Sequence, residues 1–185
     1  MRRFLLALFV LAGLGAAAGW WLSRPIPAPQ ARLAAIAAHD PDLANGERVF
    51  HASGCASCHA AEDADRDADA PPLLSGGHEL ASDYGTFVAP NITPHPERGL
   101  GTWTAEDFGN AMLRGVSPDG RHYYPAFPYP AYVKMTDGDI GDLWAYLQTL
   151  PVSDRENEGN ALALPYSLRR GVGLWKRLHL DDDWV

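Results

Sequence analysis

Apolar and polar residues alternate in a few distinct patterns along the chain. Residues 4–22, FLLALFVLAGLGAAAGWWL, carry no charge and follow directly on Arg2 and Arg3. As a helix these 19 residues rise roughly 28 Å, close to the thickness of a bilayer core. Three later segments are apolar only every third or fourth residue, the spacing of a helix with one buried face. The first follows Asp42, a good N-cap, and carries Leu43, Gly46, Val49 and Phe50 at helical spacing. The second follows Thr104, with Asp107 placed to complete a capping box, and buries Phe108, Ala111, Met112 and Val116. The third follows Thr136 and carries Ile140, Leu143, Trp144, Leu147 and Leu150 on one stripe before Pro151 stops it.

The intervening stretches predict less regular structure. Residues 23–30, SRPIPAPQ, read as a stiff extended spacer, and the Ala-rich residues 31–38 as a short helix. Residues 60–101 show turn-rich sequence without a period, and SPDGRHYYPAFPYPAY has too many prolines for a helix or a central strand. No segment alternates as a strand does. The expectation is an all-α fold with long ordered loops. It divides into an anchor or signal peptide (1–22), a Pro/Ala-rich linker (23–40), a folded domain (41–151) and a C-terminal linker with a basic amphipathic tail (152–185).

Charge narrows the range of partners. A formal net charge of -8 argues against nucleic acid, which needs a basic face, and favours basic protein partners. The two arginines ahead of the apolar run keep the N-terminus in the cytoplasm and send the remainder outside, into the periplasm of a bacterium. A signal peptide cut after the Ala-rich residues 16–18 is the competing reading. An uncleaved anchor is preferred, because apolar character continues to Trp20 and Trp21, residues suited to a membrane interface.

The candidate chemistry lies in GCASCHA, residues 54–60, which holds both of the cysteines, Cys55 and Cys58, with His59 directly behind. A disulfide between them would close a very small loop and add little stability, and redox Cys-x-x-Cys pairs belong to a βαβ setting. Zinc needs four ligands, and neither another cysteine nor a second histidine pair is available. Covalent haem uses all three residues. The thiols of Cys55 and Cys58 form thioethers, and the His59 imidazole reaches the iron from the same turn. A second axial ligand is then expected. Met112 lies on the apolar face of a predicted helix, whereas Met135 stands in a loop just ahead of a helix cap and is the preferred thioether donor. His78, His95 or His122, or an open position, are the alternatives.

In order along the chain, GERVF, CASCH, PPLLSG, Met135 and DLWAYL resemble a class I c-type cytochrome. The resemblance implies about three core helices around one covalently attached haem c behind an N-terminal transmembrane helix. It implies that Gly46 and Phe50 pack across the last helix near Leu143 and Tyr146. It also implies that the Pro72 carbonyl accepts the His59 Nδ1–H, orienting the ring and raising its basicity. The blocks PNIT and YPAFPY and the motif KMTD are similar to the cytochrome c subunits of bacterial membrane-bound dehydrogenases, in which the methionine of KMTD is the distal ligand. Members of that subgroup commonly carry two or three haem domains. LPYSLRRGVGLWKRLHL resembles a connector into the next domain, although no second Cys-x-x-Cys-His follows.

These readings predict an electron carrier rather than an enzyme. Single electrons would pass on a His/Met-ligated haem from a dehydrogenase or quinol oxidiser to a terminal acceptor such as an oxidase. The protein would be held by one helix in the inner membrane with its haem domain in the periplasm. Haem-based catalysis or small-ligand binding at an open sixth position is the alternative, and an interaction subunit with a structural haem is a third. Asp63, Asp65, Asp67 and Asp69 alternate as calcium ligands sometimes do, but the glycine and closing glutamate of a calcium loop are missing, so a solvated acidic insertion is expected. The basic tail with Arg169, Arg170, Lys176 and Arg177 suits anionic lipid, a partner, or its own domain.

Overall fold

The computed structural model describes residues 1–61 and 71–181; the stretch with Asp63, Asp65, Asp67 and Asp69 lies outside the described residues. Helix α1 (Arg2–Leu22) is long and apolar enough to cross a membrane, and none of its residues is buried. Helix α2 (Gln30–Ala37) follows, then α3 (Leu43–Ala52) and the single turn α4 (Cys55–His59). Strands β1 (Glu79–Ser82) and β2 (Gly85–Val88) precede α5 (Ala105–Arg114), the short α6 (Tyr129–Tyr132) and α7 (Asp137–Leu147). Strand β3 (Ala161–Leu162) and helix α8 (Gly171–His179) complete the described chain.

The three predicted caps start their helices as expected. Asp42 accepts from the amides of Ala44 and Asn45, Thr104 and Asp107 form a reciprocal capping box, and Thr136 accepts from the Asp139 amide. Helix α7 closes at Leu147, earlier than the stripe suggests. Hydrogen bonds from Thr149 to Tyr146 and from Leu150 to Leu147 tighten the last turn, which still buries Leu150.

Helices α3 and α7 cross almost backbone to backbone. A Cβ on Gly46 would stand 2.3 Å from the Asp142 carbonyl oxygen and 2.8 Å from the Tyr146 Cβ, so only glycine admits this approach. Phe50, wholly buried, then meets the Tyr146 ring at 5.4 Å, and Leu143 lies in the same buried cluster. A buried carboxylate fastens the crossing. Asp142 accepts from the Asp42 amide (2.7 Å), Asn45 Nδ2 (2.9 Å) and His39 Nε2 (2.7 Å), joining α7 to both ends of the α2–α3 connection.

Two sequence expectations need correction. The helical class stands, but β1 and β2 form an antiparallel hairpin (Leu80 opposite Phe87), and β3 pairs with β2 (Thr86 opposite Ala161). Strands of four and two residues, with no regular burial alternation, are too short to display a period of two. Residues 23–40 are also more than a spacer. Leu33 and Ile36 of α2 are buried against Gly109 of α5, and the Ala28 amide donates to Asn110 Oδ1.

The basic tail packs on its own domain. In α8, Val172 and Gly173 are buried, and the Lys176 ammonium donates to the carbonyls of Arg114 (2.6 Å) and Gly115 (2.7 Å) at the end of α5. That end turns at Gly115, whose φ of +57° and contact with the Tyr129 ring exclude a side chain. Burial, reinforced by the Arg114 charge, pushes the Lys176 pKa down to about 7. Helix α8, its cap Arg170 and the loop residue His122 together grip the exit of α1. Arg170 donates to the Trp20 carbonyl and stacks 3.6 Å over the Trp20 ring, Arg177 donates to the Leu22 carbonyl, and His122 Nε2–H donates to the Ser23 carbonyl.

Candidate haem-binding site

Gly54, at φ +68°, opens the turn that carries Cys55, Cys58 and His59. Three residues apart on one helical turn, the two thiols share a face. Both are free, and Cys55 packs with Ala56 against the core. Burial pushes the Cys55 thiol up to about 11, against its own backbone hydrogen bond and with a smaller push from Cys58.

The His59 ring bonds at Nδ1 to the carbonyl of Pro90 (2.8 Å), not to that of Pro72. A carbonyl can only accept, so Nδ1 carries the proton and Nε2 presents its lone pair. Burial lowers the ring's pKa, outweighing the Pro90 bond that raises it, and the imidazole is therefore neutral near pH 7. The segment containing Pro72 pairs instead with the backbone around His59. The Ala61 amide donates to Leu73, and the Gly76 amide to the His59 carbonyl (2.8 Å).

Gly76 explains why Pro90 takes the role expected of Pro72. Its φ is +69°, and a Cβ there would stand 2.4 Å from the Ala89 oxygen and the Pro90 carbonyl carbon. Residues 89–92 can therefore lie directly on residues 74–77, joined by bonds from Ile92 to Leu74 and from Gly77 to Ala89. Asn91 locks this segment from behind. Its amide group donates to the carbonyls of Ser153 and Arg155, and its Oδ1 accepts from Thr93. The PNIT block is thus the support of the histidine. The PNIT block is visible in the sequence, but its contact with His59, across 31 residues, leaves no local signal.

Met135 stands in the turn between α6 and α7, half-buried against the core, while Met112 is buried within α5. The Met135 amide donates to the Tyr132 carbonyl (2.9 Å), and the Met135 carbonyl accepts from Arg32 Nη2 (2.7 Å). The Tyr132 hydroxyl donates to the Ser53 carbonyl (2.8 Å), linking this turn to the approach of the Cys55–His59 helix. Among the alternative histidines, His122 is buried with Nε2 on Ser23, and His95 Nδ1 accepts from the amides of Glu97 and Arg98. His78 lies half-buried just ahead of β1.

Two thiols on one face, a neutral imidazole with a bare Nε2, and a loop thioether form a donor set that fits a covalently attached haem. Ile92, Trp103, Phe127, Tyr132 and Trp144 are partly buried against the same core as Cys55 and Met135, and are the apolar side chains available to wall a macrocycle crevice.

Comparison with known proteins agrees with this chemistry. The cytochrome c family model matches residues 43–151, and the chain belongs to that family, whose members hold haem c covalently. The chain is similar over all of its 185 residues, at 45% identity, to a diheme cytochrome c-type protein of Cereibacter sphaeroides, covering 61% of it. It is 38% identical to the fructose dehydrogenase cytochrome subunit of Gluconobacter japonicus, over 75% of this chain and 28% of that one. It is 35% identical to the cytochrome c subunit of the Gluconobacter oxydans alcohol dehydrogenase (quinone), over 89% of this chain and 34% of that one. The chain thus spans about three-fifths of the first relative and about a third of the other two.

Proposed function

We propose that the chain is a membrane-anchored periplasmic c-type cytochrome that carries single electrons and makes no substrate bonds itself. It would serve as an electron-transfer subunit between a dehydrogenase or quinol oxidiser and a terminal acceptor such as an oxidase. The observation that carries this reading is the His59–Pro90 bond, which leaves a neutral, oriented Nε2 beside two thiols on one turn. The similarity to cytochrome subunits of fructose and alcohol dehydrogenases supports the partner class.

When bound, haem c supplies one reversible electron at its iron. Cys55 and Cys58 would hold the group as thioethers, and His59 Nε2, made more basic by the Pro90 carbonyl, would bind its iron. Met135 would supply the second side chain on the iron. Its half-buried loop position supports it over Met112, as do the hydrogen bonds that already engage His95 and His122. Apolar walls would keep water away and disfavour extra positive charge, which would raise the potential. Helix α1 anchors the domain, with the two N-terminal arginines on the cytoplasmic side.

The test is the visible spectrum of the ferric protein, wild type beside Met135→Ala, both matured with haem. The expected wild type shows the weak long-wavelength sulfur-to-iron band, and the variant lacks it. A wild type without the band would instead favour ligand binding or catalysis at an open sixth position.

A further inference from the structure

We propose that Arg32, on a helix that precedes the matched cytochrome c region, is the positioning residue that holds Met135 in its ligand geometry. The inference rests on the reading of Met135 as the distal ligand. One guanidinium makes three bonds to the Met135 turn and the helix it leads into. Arg32 Nη2 donates to the Met135 carbonyl (2.7 Å), Nη1 to the Val133 carbonyl (3.2 Å) and Nε to the Asp137 carboxylate (2.7 Å). No other side chain among the described residues bonds to the backbone of residues 133–135.

The two peptide groups flanking the Met135 Cα are consequently both fixed. Its amide is bonded to Tyr132 on one side, and its carbonyl to Arg32 on the other. The clamp itself rests on a rigid base. The neighbouring Leu33, with Ile36, is driven into the core against Gly109, and His39 beyond them packs on Gly138 and Gly141 of α7. Arg32 can therefore not follow the loop outward. A turn whose carbonyls were left to water would gain conformers that carry the Met135 side chain away from its site. Bonds from a charged donor are among the stronger hydrogen bonds available to such a turn.

Arg32 thereby gives α2 a part in ligand retention. The matched cytochrome c region begins at residue 43, so this contribution comes from the segment that leads out of α1.

The experiment uses the haem-loaded full chain in detergent, and compares wild type with Arg32→Gln, Arg32→Lys and Met135→Ala. Imidazole is titrated into each ferric protein, where it must displace the sixth ligand to bind. Weakening a charge-assisted clamp is expected to tighten apparent imidazole binding by about tenfold in Arg32→Gln and to weaken the sulfur-to-iron band. Arg32→Lys keeps the charge and one bond, and should fall between Arg32→Gln and wild type. Unchanged imidazole affinity and band in both Arg32 variants, whatever happens to their melting temperature, overturns the proposal, because Arg32 then only fastens α2 to α7. Should Arg32→Gln fail to mature, Arg32→Lys decides the question alone. A wild type indistinguishable from Met135→Ala would defeat the Met135 assignment itself, a separate failure with its own signature.

Discussion

Removing the Asp142 carboxylate tests how the α3–α7 crossing is held. The side chain is only 6% exposed, and it satisfies an amide, a carboxamide and an imidazole donor at once. Asp142→Ala removes all three bonds, although Asn45 Nδ2 keeps a second acceptor in Asp139 Oδ1 (2.9 Å). The Asp42 amide and the Asn45 amide group lose a charged acceptor, at about 1.5 kcal/mol each. The His39 ring, 31% exposed, turns partly to water and adds little. The sum is a loss of about 3 kcal/mol, or roughly 10 °C in melting temperature for a domain of this size. Asp142→Asn keeps one acceptor oxygen and should lose about half as much. The assay is the far-ultraviolet circular dichroism melt of the haem-loaded protein. A shift below about 2 °C for Asp142→Ala would refute the account. pH gives a second check. Burial pushes the Asp142 pKa up, but the bonds from Asp42, Asn45 and His39 together outweigh it and hold the carboxyl below the usual range. A folded pKa below the unfolded one means that this stabilisation is complete above the ordinary carboxylate pKa. It is lost as pH falls through the folded value, so the gap between wild type and Asp142→Ala should close only in acid.

Other expectations follow from the same contacts. Gly46→Ala forces its Cβ onto the Asp142 carbonyl and should cost about 1–3 kcal/mol in denaturant unfolding, with little change in helix content. Lys176, with its pKa pushed down to about 7, binds fewer protons folded than unfolded between that pH and the ordinary lysine range. Stability should therefore rise with pH across this interval, and Lys176→Met should abolish the rise, which melts at a series of alkaline pH values would reveal.

Most of the helical frame was legible because its signals are local. Asp42, Thr104 and Thr136 each cap the helix they were expected to cap, and the Cys55–His59 motif names its chemistry within five residues. Gly46 and Phe50 meet α7 as the family resemblance implied. What escaped was tertiary. The choice of Pro90 over Pro72 depends on a left-handed glycine at position 76 that lets two loops lie together. The buried carboxylate of Asp142 looks, in sequence, like one more polar residue on a helix. Arg32 sits among alanines in what reads as a linker, and its three acceptors lie about a hundred residues further along. The small sheet was invisible because its strands, four residues at most, show no alternation of buried and exposed positions.

The grip of α8 and the His122 loop on the end of α1 has a consequence for traffic at the membrane. Arg170, Arg177 and His122 hold the backbone of residues 20–23, so the domain does not swing freely at the end of a leash. With α1 in the bilayer, as proposed, the domain leans at one attitude and drifts as a whole. Encounters with redox proteins that are themselves held at the membrane then become a search in two dimensions, paced by lateral drift rather than by tumbling. For such neighbours, height above the lipid becomes a criterion of partner choice.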